Sequence, residues 1–204
     1  MARHVTDVPD RDRPATYDDL LRVPDHMVAE IVDGALYTWP RPAGPQTRAR
    51  SRLGGRLDTF QDDGDGVGGW QILDEPELHF GADVVVPDMA AWRIARMPVI
   101  LDVPFFTLVP DWVCEILSPS TSRLNRGKKL GVYARAGVSY TWHADPIART
   151  LEVLMRDGGG WTTQSIYRAD ERMRAIPFEA VEIPLPYLWG PPRADASSSE
   201  TARS

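Results

Sequence analysis

Cysteine is nearly absent from this chain: Cys114 is the only one in 204 residues. A single thiol forms no intrachain disulfide and cannot build a cysteine-based zinc site. Its place between Val113 and Glu115, inside an apolar run, marks it as a core residue, because free cysteine is among the most buried residue types. A reducing, cytoplasmic compartment is the simplest expectation. Long apolar runs are also lacking. None reaches the roughly 20 residues that a bilayer-spanning helix needs. The best stretches, around Val84–Val86 and Val99–Val109, are broken by proline and charge, so no membrane partner is expected. The opening MARHVTDVPDRDRP is polar and has no apolar segment of the kind a secretory signal carries. Positive charge is scarce, with 23 Lys and Arg against 29 Asp and Glu, for a net charge of −6. That excludes a protein that coats nucleic acid nonspecifically, since such binding is driven by counterion release from phosphates. It leaves room for an enzyme acting on nucleic acid through a metal site, which is itself acidic. Histidines are few as well. His4, His26, His79 and His143 are never paired at a metal-ligand spacing, and His143, beside a strand end, is expected to be structural.

What is present describes a folded protein. Hydrophobic residues make up 43% and charged residues 25%, the balance of a packed domain and not of a disordered chain. One domain is expected over residues 15–190, with a flexible arm at 1–14 and a disordered tail at 191–204. Thr16 has the character of a helix N-cap, with Asp18 and Asp19 in the first turn of a short helix over 16–22. Glu30–Trp39 is a β-hairpin, because Asp33-Gly34 is a strong two-residue turn between apolar flanks. A loop at 40–45 leads to a helix over 46–61, with Leu53, Leu57 and Phe60 at helical spacing. Asp62–Gly69 is a loop that lacks the closing glutamate of an EF-hand. Strands are expected near 70–73, 76–80, 83–92 and 111–118, then a helix over 122–136 and strands at 139–144, 149–156 and 161–168. Trp92, Trp112, Trp142, Trp161 and Trp189, in or beside these strands, are expected to be core.

Two of the strands carry a carboxylate in an otherwise apolar run. By the two-residue period, Asp88 shares a face with Val84 and Val86, and Glu115 shares one with Val113 and Leu117. Burying a carboxylate is expensive unless it is paired or bound to a cation. On neighbouring strands about 4.8 Å apart, Asp88 and Glu115 could hold one hard divalent ion, since Mg²⁺ is usually gripped by one or two carboxylates and keeps several waters. The structural alternative for each is a strand-end carboxylate bonded to nearby backbone N–H groups. The helix that follows begins after a Ser/Thr cluster able to cap it and stops at Gly137. Leu130, Tyr133 and Ala134 form its apolar stripe. A lysine at the edge of that stripe could orient water and offset charge in phosphoryl transfer. Spacing alone does not choose between Lys128 and Lys129. Arg123 and Arg126 flank the site and could meet phosphate or simply face solvent.

The runs VVVPDMAAWR and DWVCEILSPSTSRLNRGKKLGVYARAGVSYTWHADPIARTLEV, with AEIVDGAL upstream, resemble the Uma2 family of restriction endonuclease-like proteins over roughly residues 16–190. The resemblance implies an α/β (α+β mixed) restriction endonuclease-like fold: a central mixed β-sheet flanked by helices, with an N-terminal β-hairpin. It also implies a PD-(D/E)xK site. The usual lysine two residues after the acid is Leu117 here, and in this family the lysine is taken from the next helix, which selects Lys129. Glu30 fits the hairpin glutamate beside the metal site. Two positions depart from the family pattern. The segment Gly44–Arg48 holds no histidine early in its helix, and Asn125 stands where an acidic residue often precedes the lysine. The expected protein is therefore a Mg²⁺- or Mn²⁺-dependent DNA endonuclease. Asp88, Glu115 and the Ile116 carbonyl would bind the metal, Lys129 would position water, and Glu30 would support the ligands or meet a second ion. A homodimer is expected, since cutting a duplex takes two sites. A binding or regulatory module on the same fold, and a small-phosphoester hydrolase, remain the competing uses of such a site.

Overall fold

The structure is a computed structural model and describes residues 13–42, 44–61 and 68–190. The expected arm at 1–14 lies, up to residue 12, outside the described residues, as do positions 62–67 of the acidic loop and the tail at 191–204. Helix α1 (Tyr17–Leu21) starts where Thr16 and Asp19 bond each other: the Asp19 carboxylate accepts the Thr16 N–H at 2.9 Å and its hydroxyl at 2.8 Å. The hairpin follows as β1 (Met27–Val32) and β2 (Ala35–Pro40), closed by Val32 opposite Ala35. Asp33 and Gly34 both take positive φ, 51° and 74°, as the turn matching strand twist requires. Helix α2 (Gly44–Leu57) runs into a 3₁₀ turn (Asp58–Phe60) and buries Ala49, Leu53, Leu57 and Phe60.

Next come β3 (Trp70–Asp74), β4 (Leu78–Phe80), β5 (Asp83–Val85), β6 (Met89–Arg93) and β7 (Trp112–Ile116). A helical crossover of three parts follows: α3 (Ser122–Leu124), a π-helical segment (Asn125–Lys129) and α4 (Leu130–Ala136). Then come β8 (Tyr140–Asp145), β9 (Thr150–Asp157), β10 (Gly160–Arg168), β11 (Arg172–Met173), β12 (Ile183–Pro184) and α5 (Leu185–Trp189). The central sheet has six strands in the order β10-β9-β8-β7-β6-β3. It is mixed: β7 and β8 are parallel and every other pair is antiparallel. That parallel pair needs a crossover, and the crossover puts a helix over the middle of the sheet. A second sheet, β2-β1-β5-β4, contains the hairpin.

The two faces of β7 serve two cores. Trp112, Cys114 and Ile116 pack with Trp142, Phe178 and Leu53. Val113 packs on the other face, with Trp92, Val132 and Tyr133. Glu115, two residues on from Val113, therefore points to the helical crossover, as its periodicity predicts.

Three expectations need correction. Residues 83–92 are not one strand. β5 belongs to the hairpin sheet and β6 to the central sheet, and the chain changes sheets at Val86-Pro87-Asp88. Proline has no N–H for a ladder, so the strand is broken at the switch, and Val86 and Asp88 both line the cleft beyond it. The helix over 122–136 is interrupted by the π segment. Capping also differs: Thr121 is the N-cap with no side-chain cap bond, and Ser118 Oγ instead accepts the Thr121 N–H at 3.2 Å. β11, β12 and α5 were not anticipated at all. Among the described residues, no helix is long and apolar enough to cross a membrane.

Candidate active site

Four segments converge at the C-terminal end of β7. The hairpin brings Glu30, the sheet switch brings Val86 and Asp88, β7 brings Glu115 and Ile116, and the crossover brings Asn125, Lys129 and Tyr133. Three of these charges are almost completely buried: Glu30 is 0% exposed, Lys129 1% and Glu115 2%. Asp88 is half-buried.

Asp88 and Glu115 face each other. The antiparallel register pairs Met89 with Cys114, and one further step sets Asp88 against Glu115. Asp88 Oδ2 accepts the Ile116 N–H at 2.7 Å, and Oδ1 has no hydrogen-bond partner among the described residues. The sheet change that breaks the predicted strand thus still delivers the predicted pair. Burial and then the charge of Glu115 push the Asp88 carboxyl up to about 7, against the pull of the Ile116 N–H, Lys129 and Arg50.

Lys129 lies between the other two carboxylates. Its Nζ is 2.7 Å from Glu30 Oε1 and 2.7 Å from Glu115 Oε1, and it donates to the Val86 carbonyl at 3.4 Å. Burial opposes its charge, but Glu115 and Glu30 more than compensate and hold the ammonium well above its ordinary value. Lys129 is therefore a fixed cation at neutral pH. Lys128 is exposed at the rim, where its Nζ donates to the Tyr37 hydroxyl at 2.6 Å. Lys129, the residue the resemblance selects, is thus the one the fold places between the two carboxylates.

Glu30 Oε1 also accepts the Val86 N–H at 2.5 Å, while its Oε2 is buried without a partner among the described residues. Burial pushes the Glu30 carboxyl to about 7, with Lys129 lowering it and Glu115 raising it. Glu115 is held by two further donors. The Tyr133 hydroxyl donates to Oε1 at 2.5 Å and Asn125 Nδ2 to Oε2 at 3.1 Å. Asn125, Lys129 and Tyr133 are spaced four residues apart and all reach the same carboxylate. Tyr133, expected as plain core, and Asn125, expected only as a departure from the family pattern, are site residues that sequence reasoning missed. The four-residue spacing was the available signal.

His143 lies beside Glu115 in the β7–β8 register. It is fully buried, and neither ring nitrogen has a partner among the described residues. Burial, aided by Arg126 and Lys129, lowers it to about 3, so it is neutral and structural in character. Arg126 is paired with Glu152, and Arg123 is exposed. Gln46, in the segment where a histidine was looked for, is buried and lines the cleft. Cys114 is fully buried and its thiol is pushed up by burial, in keeping with a core role.

The site opens into a cleft of about 1170 Å³ walled by the hairpin, α1 and the Ser118–Thr121 turn. Among the described residues no three His, Cys, Asp or Glu side chains form a metal-holding cluster. The oxygens able to meet a cation are those of the facing pair, Asp88 and Glu115, with the neighbouring backbone of Ile116. The charge balance suits one: three carboxyl groups, Glu30, Asp88 and Glu115, share a single ammonium. Burial, with the charge of Glu115 behind it, raises Asp88 and Glu30, and a hard divalent cation would favour their ionised forms.

Residues 14–186 match the model of the Uma2 family, described as "Putative restriction endonuclease". No curated protein matches the chain. Among solved structures, a protein from Anabaena variabilis described as "a putative nuclease" shares 22% identity, with a TM-score of 0.67, over 86% of this chain and 98% of the other. At that identity the likeness concerns the fold, which is the mixed sheet with flanking helices and hairpin described above. The chain belongs to the Uma2 family and has a restriction endonuclease-like fold.

Proposed function

We propose that the protein is a metal-dependent endonuclease that hydrolyses DNA phosphodiester bonds. The observation that carries this is the facing pair Asp88 and Glu115 with a fixed ammonium, Lys129, beside it. In this proposal Asp88, Glu115 and the Ile116 carbonyl hold Mg²⁺ or Mn²⁺. When bound, such an ion supplies Lewis-acid polarisation of the phosphoryl group and of water. Lys129 acts as a donor and a positive charge, not as a base, because its neighbours keep it protonated. It orients the attacking water and offsets the charge that builds on the phosphoryl oxygens. Glu30 fixes the ammonium from the opposite side, and Tyr133 and Asn125 fix the Glu115 carboxylate. A lysine oriented by two carboxylates loses little entropy on meeting the transition state.

Circular DNA tests the endonucleolytic reaction, since it offers no end. Supercoiled plasmid should be nicked with Mg²⁺ or Mn²⁺ and left intact in chelator. Undiminished cleavage by the Asp88→Ala/Glu115→Ala double variant overturns the assignment. One observation favours a second use, a binding module without turnover: the Glu115 carboxylate is already contacted by Lys129, Tyr133 and Asn125. Absence of divalent-ion heat in calorimetry near neutral pH would select that module. Hydrolysis of an aryl phosphate without DNA cleavage would select a small-phosphoester hydrolase.

A further inference from the structure

We propose that the cleft takes a single-stranded stretch of DNA, with one unpaired base stacked on Trp39 next to the cleavage site. The proposal rests on the nuclease reading for its ligand, but it stands on a separate observation. The chain has seven tryptophans, and six of them are accounted for. Trp92, Trp142 and Trp161 donate their indole N–H to the carbonyls of Leu108, Ile176 and Leu130. Trp70, Trp112 and Trp189 belong to the core packed around Phe178. Trp39 alone joins no core cluster, and among the described residues it makes no ring contact or side-chain hydrogen bond. It is half-buried and lines the cleft.

Its position follows from the hairpin register. Glu30 is opposite Tyr37 and Val28 is opposite Trp39, so the four side chains share one face of the hairpin. Trp39 is the diagonal neighbour of Glu30, about 7–8 Å away by ordinary strand geometry. That is the reach of one nucleotide in an extended strand. With its phosphate at the mouth of the Asp88–Glu115 pair, the adjacent base would lie over the indole, in the part of the cleft that Pro40 and Pro42 also line.

Charge selects the form of the DNA. The cleft is lined by Asp25, Glu75 and Glu77 in addition to the two site carboxylates, against only Arg41 and the already paired Lys129. A duplex carries one charge per roughly 1.7 Å of axis and needs a cationic track to meet it. A single strand carries less charge per length, and only an unpaired base can stack on the indole, a contact that is independent of sequence. One strand also needs one site, so binding would not depend on the homodimer expected for a duplex cutter.

Binding measured in chelator separates this proposal from catalysis. The probe is a fluorescently labelled 12-nucleotide oligo(dT), compared with a hairpin duplex of equal length, by anisotropy on the full chain. The single strand should bind at least tenfold more tightly. Trp39→Ala should weaken it about 5- to 150-fold, the range of one lost stacking contact, and Trp39→Phe should restore most of it. Equal affinity for duplex, or an unchanged affinity in Trp39→Ala with native circular dichroism, overturns the proposal. Tight Trp39-dependent binding with no cleavage in Mg²⁺ supports the stacking site and defeats the nuclease reading. Cleavage in Mg²⁺ with no preference for the single strand does the reverse.

Discussion

The burial of carboxyl groups at the site has a measurable consequence for stability. Without a divalent ion, the protein should become less stable as pH rises from 5.5 to 8. The sign comes from the raised carboxyls of Asp88 and Glu30, and Asp74, also raised by burial, adds to it. Asp88 moves from 3.8 to about 7 and Glu30 from 4.5 to about 7, so across this window the folded state binds more protons than the unfolded state. Stability is then lost as pH rises. Asp88 and Glu30 each contribute a fall of about 2 kcal/mol between pH 5.5 and 8. His143 works in the opposite direction. Its value is lowered from 6.5 to about 3, so its burial costs about 1.4 kcal/mol at pH 5.5 and almost nothing at pH 8. The balance is a net fall of about 2–3 kcal/mol. For a domain of this size that is a drop in Tm of about 4–12 °C. Asp19, held below the usual carboxylate range by Arg13 and Thr16, is ionised throughout the window and drops out. The assay is urea or thermal unfolding followed by tryptophan fluorescence in chelator. In Asp88→Asn the fall should shrink by about 2 kcal/mol, since asparagine keeps an acceptor for the Ile116 N–H but has no charge to desolvate. Adding Mn²⁺ at pH 8 to 100 times its Kd should restore about 3 kcal/mol in the wild type and much less in Asp88→Asn. A flat or rising stability in chelator, or the same slope in Asp88→Asn, would refute the reasoning.

Two further outcomes follow from the same contacts. Lys129→Met should destabilise the fold by about 3–5 kcal/mol at pH 8, because it strands Glu30 and Glu115 in the interior, and adding Glu30→Gln should recover part of that in urea titrations. Tyr133→Phe should cost about 1.5–3 kcal/mol through loss of the hydroxyl donated to a buried carboxylate; a loss below 0.5 kcal/mol would show that this bond contributes little.

Parts of this molecule are legible in its sequence because local chemistry decides them. Asp33-Gly34 can hardly be anything but a hairpin turn, and the alternation in Val113–Leu117 places Glu115 on the right face because β7 really is one continuous strand. The run Val84–Trp92 misleads for a physical reason. Apolarity reports that both strands are buried but not that they lie in different sheets, and Pro87 was the sole mark of the switch. β11, β12 and α5 are too short for a periodic signal and exist through tertiary contacts, such as the Leu185 N–H on the Glu171 carbonyl at 2.9 Å and the Trp142 indole on the Ile176 carbonyl. Within the site, the carboxylates announce themselves as costly charges in apolar strands. Tyr133 does not, because the same ring fits an apolar stripe, and only its hydroxyl, directed at Glu115, reveals the second role. Spacing does not separate Lys129 from Lys128, and only the family resemblance selects it, because its partner Glu30 lies 99 residues away in the chain.

The π-helical segment has a further meaning when counted in degrees. In a regular α-helix four residues overshoot a full turn by about 40°, so two such steps carry the last side chain about 80° away from the first. At roughly 4.4 residues per turn, four π-helical residues fall short of a turn by about 30° instead. The step from Asn125 to Lys129 therefore winds back what the step from Lys129 to Tyr133 winds forward, and all three side chains fall on one line above Glu115. Shortening the segment by one residue, at Gly127 for example, would give a more regular helix and scatter that line around its axis. The chain carries one residue more than its helix requires, and the site is assembled from that surplus.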